Sequence, residues 1–253
     1  MDESAVLEVL SETVRAIGSA LSGVADWRPH GDRPGQYRID LVADEAALAV
    51  LHGAGLAVLS EESGLTNSDG KALPSADAEE LLVVVDPVDG STNASLGIPW
   101  YATSLCVLDA EGPRVALVEN LSSGVRYEAV RGQGAQRNGR PITPSGCRDL
   151  SRAVIGISGF PGHHPGWGQF RALGSAALDH CLVADGSLDG YRVCGGSNLN
   201  AWDYLGGMLI CTEAGARVGD LNGNDLVVRD GSPRRPAAAA TTELLDALVA
   251  SEA

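Results

Sequence analysis

Positive charge is scarce in this 253-residue chain: 18 lysines and arginines stand against 33 aspartates and glutamates, a formal net charge of −15. So negative a surface repels nucleic-acid backbones and anionic membranes, and neither is expected as a partner. Long hydrophobic runs are missing too. No apolar stretch reaches the ~18 residues that would suggest a membrane helix, and the acidic start MDESAVLEVL lacks the basic residues and apolar run of a signal peptide. Cysteine is sparse: Cys106, Cys147, Cys181, Cys194 and Cys211 show no Cys-x-x-Cys spacing, which argues against zinc ribbons and dithiol chemistry and fits a reducing cytoplasm. Other enzyme signatures are absent. Gly132-Gln133-Gly134 has no third glycine for a dinucleotide turn. Gly156-Ile157-Ser158-Gly159 runs on into Phe160, so the Gly-x-Ser-x-Gly elbow of serine hydrolases is missing. His163-His164 falls among prolines and glycines, a loop rather than a zinc-binding helix.

The 44% hydrophobic content is enough for a large core, in one domain or two lobes. Val6, Leu7, Val9, Leu10, Val14, Ile17 and Leu21 recur at helical spacing, with Gly23 as a stop. A loop is expected over Arg28–Gln36, then a helix over Ala46–Leu51 behind Asp44 and Glu45. Leu56–Leu59 and Leu81–Val85 read as short buried strands, each ending in carboxylates. From Tyr101 to Val130 the pattern predicts an antiparallel meander, and Asn138-Gly139 marks another hairpin. A second half begins near Leu150: a strand AVIGIS, helices SAALDHCLVA and WDYLGGMLICTEAG, and a closing helix TTELLDALVA.

The chemistry concentrates in residues 81–93, LLVVVDPVDGSTN. An apolar strand delivers Asp86 and Asp89 three residues apart, Pro87 stiffens the exit, and Gly90 allows a tight turn into Ser91 and Thr92. Clustered carboxylates at a strand end suit hard cations such as Mg²⁺. Amides that open a helix there would offer donors to a phosphate, which an acidic protein otherwise lacks. Taken alone, the segment reads equally well as an Asp-rich turn.

It does not stand alone. Asp86-Pro-Val-Asp-Gly-Ser-Thr-Asn93 resembles the signature of the inositol monophosphatase superfamily. So do Trp202-Asp-Tyr-Leu-Gly-Gly-Met-Leu-Ile-Cys-Thr-Glu-Ala-Gly215, Glu61-Glu62-Ser63, Asp40-Leu-Val-Ala-Asp44 and the Gly174-Ser-Ala-Ala helix, in order along nearly the whole chain. The resemblance implies an αβαβα layered sandwich of the inositol monophosphatase and fructose-1,6-bisphosphatase type. Residues 1–150 would carry the metal and phosphate motifs; residues 151–253 would supply Asp203 and the pocket wall. It further implies Mg²⁺, two or three ions per subunit, in a cytoplasmic homodimer. Glu61, Asp86 and the Val88 carbonyl would bind one ion, and Asp86, Asp89 and Asp203 another. Ser91 with Asp44 would activate the attacking water, Glu61 assisting through its ion. Gly90, Ser91 and Thr92 would hold the phosphate, with Ala176, Arg192 and Asp203 lining the substrate. Read singly, Asp44 could instead cap a helix and Asp203 could be a first-turn acid.

The sequence departs from the inositol-specific members after the second strand: Tyr191-Arg192-Val193 stands where they carry Tyr-Tyr-Glu, and a longer loop, CGGSNLNA, leads to Trp202. The expected activity is Mg²⁺-dependent hydrolysis of a small phosphate monoester, an inositol or sugar phosphate. Histidinol phosphate and nucleotide 3′-phosphates are the alternatives within the superfamily, and a non-catalytic metal- or ligand-sensing protein is the alternative outside it.

Overall fold

The computed structural model describes residues 1–31, 33, 35–77 and 81–251. Asp32 and Pro34 of the expected loop lie outside the described residues, as do the last two residues of the expected second half. Among the described residues no helix is long and apolar enough to cross a membrane.

Two helices form the first layer. α1 (Glu3–Ser22) starts where the Asp2 carboxylate accepts the Ala5 N–H at 2.9 Å and buries Val6, Leu10, Val14, Ile17 and Leu21 along one stripe. Each of these aliphatic side chains contributes about 1.5–3 kcal/mol by leaving water. α2 spans Arg38–Gly53, eight residues earlier than the expected start at Ala46. Asp44 therefore sits in its second turn and cannot cap it. No Ser, Thr, Asp or Asn precedes this helix: its N-cap is Tyr37, and the first-turn Asp40 reaches back to the Tyr37 N–H at 2.8 Å.

These helices cover an eight-stranded sheet. Its order is β2 (Gly64–Thr66), β1 (Ala57–Ser60), β3 (Leu82–Asp89), β4 (Ala102–Asp109), β5 (Gly112–Asn120), β6 (Arg126–Val130), β7 (Gly134–Arg137), β8 (Arg140–Pro141). Only β1 and β3 pair in parallel; β4 to β6 form the expected meander, continued by β7 and β8 through a hairpin in which Asn138 and Gly139 both take positive φ. A short helix, α3 (Ser91–Leu96), follows β3.

The other face of this sheet packs on α4 (Ala176–Ala184) and α5 (Ala201–Ala214). Both are apolar nearly all round because they form the middle layer. Beyond them lies a second sheet, ordered β10 (Gln169–Arg171), β9 (Val154–Ser158), β11 (Gly190–Val193), β13 (Pro236–Ala239), β12 (Arg217–Asp220). α6 (Thr242–Ala250) covers its outer face through Leu244 and Leu248. The layers run helix, sheet, helix, sheet, helix, the αβαβα sandwich expected from the motifs. One cluster joins Val118 and Tyr127 of the first sheet to Leu178, Cys181, Ile210 and Tyr191, so the core is continuous across the middle layer.

Candidate active site

The parallel pair β1 and β3 places two carboxylate-bearing strand ends side by side: Val85 pairs with Ser60, and the Glu61 N–H reaches the Val85 carbonyl at 3.3 Å. Asp86 and Asp89 are an odd number of residues apart, which in a regular strand would point them to opposite faces. The ladder to β4 slips between them: Asp86 pairs with Ser104 but Asp89 with Ala102, so β3 spends three residues where β4 spends two. This bulge returns both side chains to one side. The extra turn is pinned where Thr103 Oγ1 donates to the Pro87 carbonyl at 2.9 Å.

Gly90 follows with φ 89°, and a Cβ there would stand 2.9 Å from the Gly174 carbonyl oxygen and 3.0 Å from that of Trp100, so only glycine fits. Asn93 fixes the turn from below, its Nδ2 donating to the Trp100 and Leu173 carbonyls at 2.8 Å each. Ser91 opens α3 half-buried and Thr92 is exposed.

Asp203 enters from the first turn of α5, and ligand oxygens of Asp86, Asp89 and Asp203 all lie within 4.8 Å of one another. The carboxylates are held in a common way, one oxygen anchored by a backbone or hydroxyl donor. Asp86 accepts the Val88 N–H at 3.0 Å, Asp203 the Asn200 N–H at 2.6 Å, and Asp40 the Tyr37 N–H at 2.8 Å. Asp89 Oδ2 accepts the Ser175 hydroxyl at 2.5 Å and the Ala177 N–H at 2.8 Å, at the start of α4. The second oxygen of Asp40 is buried with no hydrogen-bond partner among the described residues.

The structure separates the two aspartates of the Asp40–Asp44 motif. Asp44 is buried and accepts hydrogen bonds from Ser60 and Ser63. Asp40, to which the motif assigned no role, is the one whose charge is eased by the Ser91 hydroxyl and opposed by Glu62, Glu61 and Asp86. Arg192 is also elsewhere: it is 2% exposed and donates to the Leu248 carbonyl and the Ser251 hydroxyl at the end of α6. Alternation along β11 turns it away from the middle layer. Val193 is fully buried in the central core, so it forms no pocket wall. Ala176 starts α4 with its amide towards Asp89, and Val88 packs its side chain among Ile17, Ile39 and Ala43. Glu62 is held by Arg33 and Gln36 from the preceding loop.

Burial, reinforced by neighbouring negative charge, raises the pKa of most of these carboxyls. Asp40 and Glu61 move to about 7, and Asp89 to about 6 with the Ser175 and α4 donors opposing the rise. Asp86 and Asp203 move well above their usual range. Such a folded cluster binds protons more tightly than the unfolded chain, so its contribution to stability is complete below pH ~4 and is lost as pH rises through about 6 and 7. Carboxyls held low, such as Asp109 beside Arg131, act only at more acid pH. Chelated protein should therefore lose thermal stability between pH 5 and 7.5, roughly one unit either side of those values, and Mg²⁺ at about a hundredfold over its Kd should return ~2.7 kcal/mol per independent site. A Tm that climbed with pH across that window in chelator would contradict this.

The donor set is all oxygen, and three carboxylates are close enough to share an ion. These residues fit a hard divalent cation. The chain also matches the inositol monophosphatase family over residues 6–253. It belongs to that family. A relative from Archaeoglobus fulgidus named fructose-1,6-bisphosphatase/inositol-1-monophosphatase is 32% identical, covering 89% of this chain and 88% of its own. An inositol-1-monophosphatase from Mesorhizobium japonicum is 34% identical over 92% and 91%. A solved family structure, the extragenic suppressor protein suhB from Bartonella henselae, superimposes with a TM-score of 0.80 at 26% identity and covers 98% of both chains.

Proposed function

We propose that this family member is a Mg²⁺-dependent phosphatase of small phosphate monoesters. The carrying observation is the convergence of Asp86, Asp89 and Asp203 beside the Gly90 turn. Glu61, Asp86, the Val88 carbonyl, Asp89 and Asp203 would hold the metal, in one or more sites. When bound, Mg²⁺ acidifies water and neutralises charge on the phosphoryl group. The amides of Gly90, Ser91 and Thr92 orient the phosphate. Ser91 donates its hydroxyl proton towards Asp40 and accepts one from the attacking water, so Asp40 takes the place expected for Asp44 as general base. Ser91 is a relay rather than a nucleophile, since no histidine stands in these motifs to activate it.

The names of the relatives favour an inositol or sugar phosphate as substrate. Position 193 does not meet the leaving group, because Val193 is in the core. A second reading comes from relatives named Nus factor SuhB, one from Escherichia coli being 34% identical over 66% of this chain. On that reading the chain has a macromolecular partner beside, or in place of, a small phosphate ester.

Phosphate release should be measured with inositol 1-phosphate, fructose 1,6-bisphosphate, histidinol phosphate and nucleotide 3′-phosphates, in Mg²⁺ and in chelator. Metal-dependent turnover of at least one ester is expected; none at all would favour the non-catalytic reading. Ser91→Ala should lower kcat by about 10²-fold, within the usual range for a proton-transfer group, with Mg²⁺ binding retained, and Ser91→Thr should recover most of it. A phosphoserine trapped at position 91 during turnover would overturn the relay.

A further inference from the structure

Trp100 and Asp179 meet on the far side of the Gly90 turn, outside the acidic cluster. Asp179 lies on α4, fully buried, and its Oδ1 accepts the Trp100 indole N–H at 3.1 Å. Its Oδ2 has no hydrogen-bond partner among the described residues. The Trp100 carbonyl accepts from Asn93, the last residue of the phosphate motif, and would stand 3.0 Å from a Cβ at Gly90. Trp100 is thus gripped at both ends, by α4 through its ring and by α3 through its main chain.

We propose that Asp179 is a positioning residue for the Gly90 turn, acting through the Trp100 indole to hold the main chain that walls the turn. The inference rests on the phosphatase reading, because the turn's task there is to present amides to a phosphate. A shift in Trp100 would pass to the turn through the hydrogen bond by which its carbonyl holds Asn93 at 2.8 Å. Asp179 needs only an acceptor oxygen for this. Its carboxyl charge has no part in it, which distinguishes positioning from an electrostatic effect on Asp89, the β3 carboxylate that the start of the same helix anchors.

Trp100→Phe removes the indole N–H and keeps a ring; Asp179→Leu removes the acceptor; Asp179→Asn keeps it. Binding of inorganic phosphate in Mg²⁺, measured by calorimetry, should weaken about five- to tenfold in the first two, the loss of one buried hydrogen bond. KM should rise alongside, and the double variant should be no worse than either single, since both break one contact. Asp179→Asn should stay within about twofold of the wild type. Phosphate binding unchanged in Trp100→Phe, additive losses in the double variant, or Asp179→Asn behaving like Asp179→Leu would each overturn the proposal. A wild-type protein that binds phosphate without hydrolysing any ester would defeat the phosphatase reading alone, and the binding ratios would still decide this one. A wild type that binds no phosphate defeats both.

Discussion

Asp40→Ala should lower kcat by about 10²–10⁴-fold, the usual loss when a positioned proton acceptor is removed, while Asp44→Ala acts mainly on stability. Both side chains are buried on α2, four residues apart, yet they face different partners. Removing Asp44 strands the hydroxyls of Ser60 and Ser63, the former fully buried, at a cost of about 1–3 kcal/mol for each unsatisfied group. Removing Asp40 takes away the carboxylate beside Ser91 and Glu61. Kinetics at saturating Mg²⁺ together with thermal melts separate the two. If Asp44→Ala lost as much kcat as Asp40→Ala with an unchanged Tm, the expected assignment from the motif would stand and the geometric one would be wrong.

Asp86→Asn should abolish the response to Mg²⁺ and yet stabilise the chelated protein. Asp86 is 2% exposed and feels the charges of Glu61, Asp89 and Asp203. Its neutral amide relieves that repulsion, worth about 1 kcal/mol or more at pH 7.5 if one neighbour regains a unit of pKa. It also removes an oxygen donor, so half-saturating Mg²⁺ should rise beyond the ~10–100-fold typical of losing a mere supporting residue. The thermal midpoint in chelator should go up, and the upward shift on adding Mg²⁺ should disappear. A variant that kept the wild-type metal response would show that Asp86 is not a ligand.

The layered fold and most of the acidic centre were legible in the sequence because they depend on local signals. Hydrophobic periodicity showed α1, the β4–β6 meander and the closing helix, and strand ends bearing carboxylates pointed to the grouping of Asp86 and Asp89. The start of α2 was hidden because Tyr37 gives no capping signal, so the place of Asp40 in its first turn could not be read. Arg192 was misplaced for another reason: which face a four-residue strand turns inward depends on its register with β9 and β13, which are 35 and 45 positions away by the pairing of Arg192 with Ile157 and Ala237. The run Pro236–Ala239 carries almost no β signal and becomes a central strand only because β11 and β12 flank it. Asp179 was unreadable for the same reason as Arg192, since its partner lies 79 residues away.

The anchoring of Asp89 by Ser175 and Ala177 bears on how the protein is made. Asp40, Glu61, Asp86 and Asp89 all precede residue 150, but the donors that hold Asp89 and the third close carboxylate, Asp203, come from α4 and α5. A nascent chain of the first half carries these negative charges on α2, after β1 and on β3, without the donors that hold Asp89 and without Asp203. The grouping of Asp86, Asp89 and Asp203 therefore forms only late in translation, once α5 has emerged and packed beneath the first sheet.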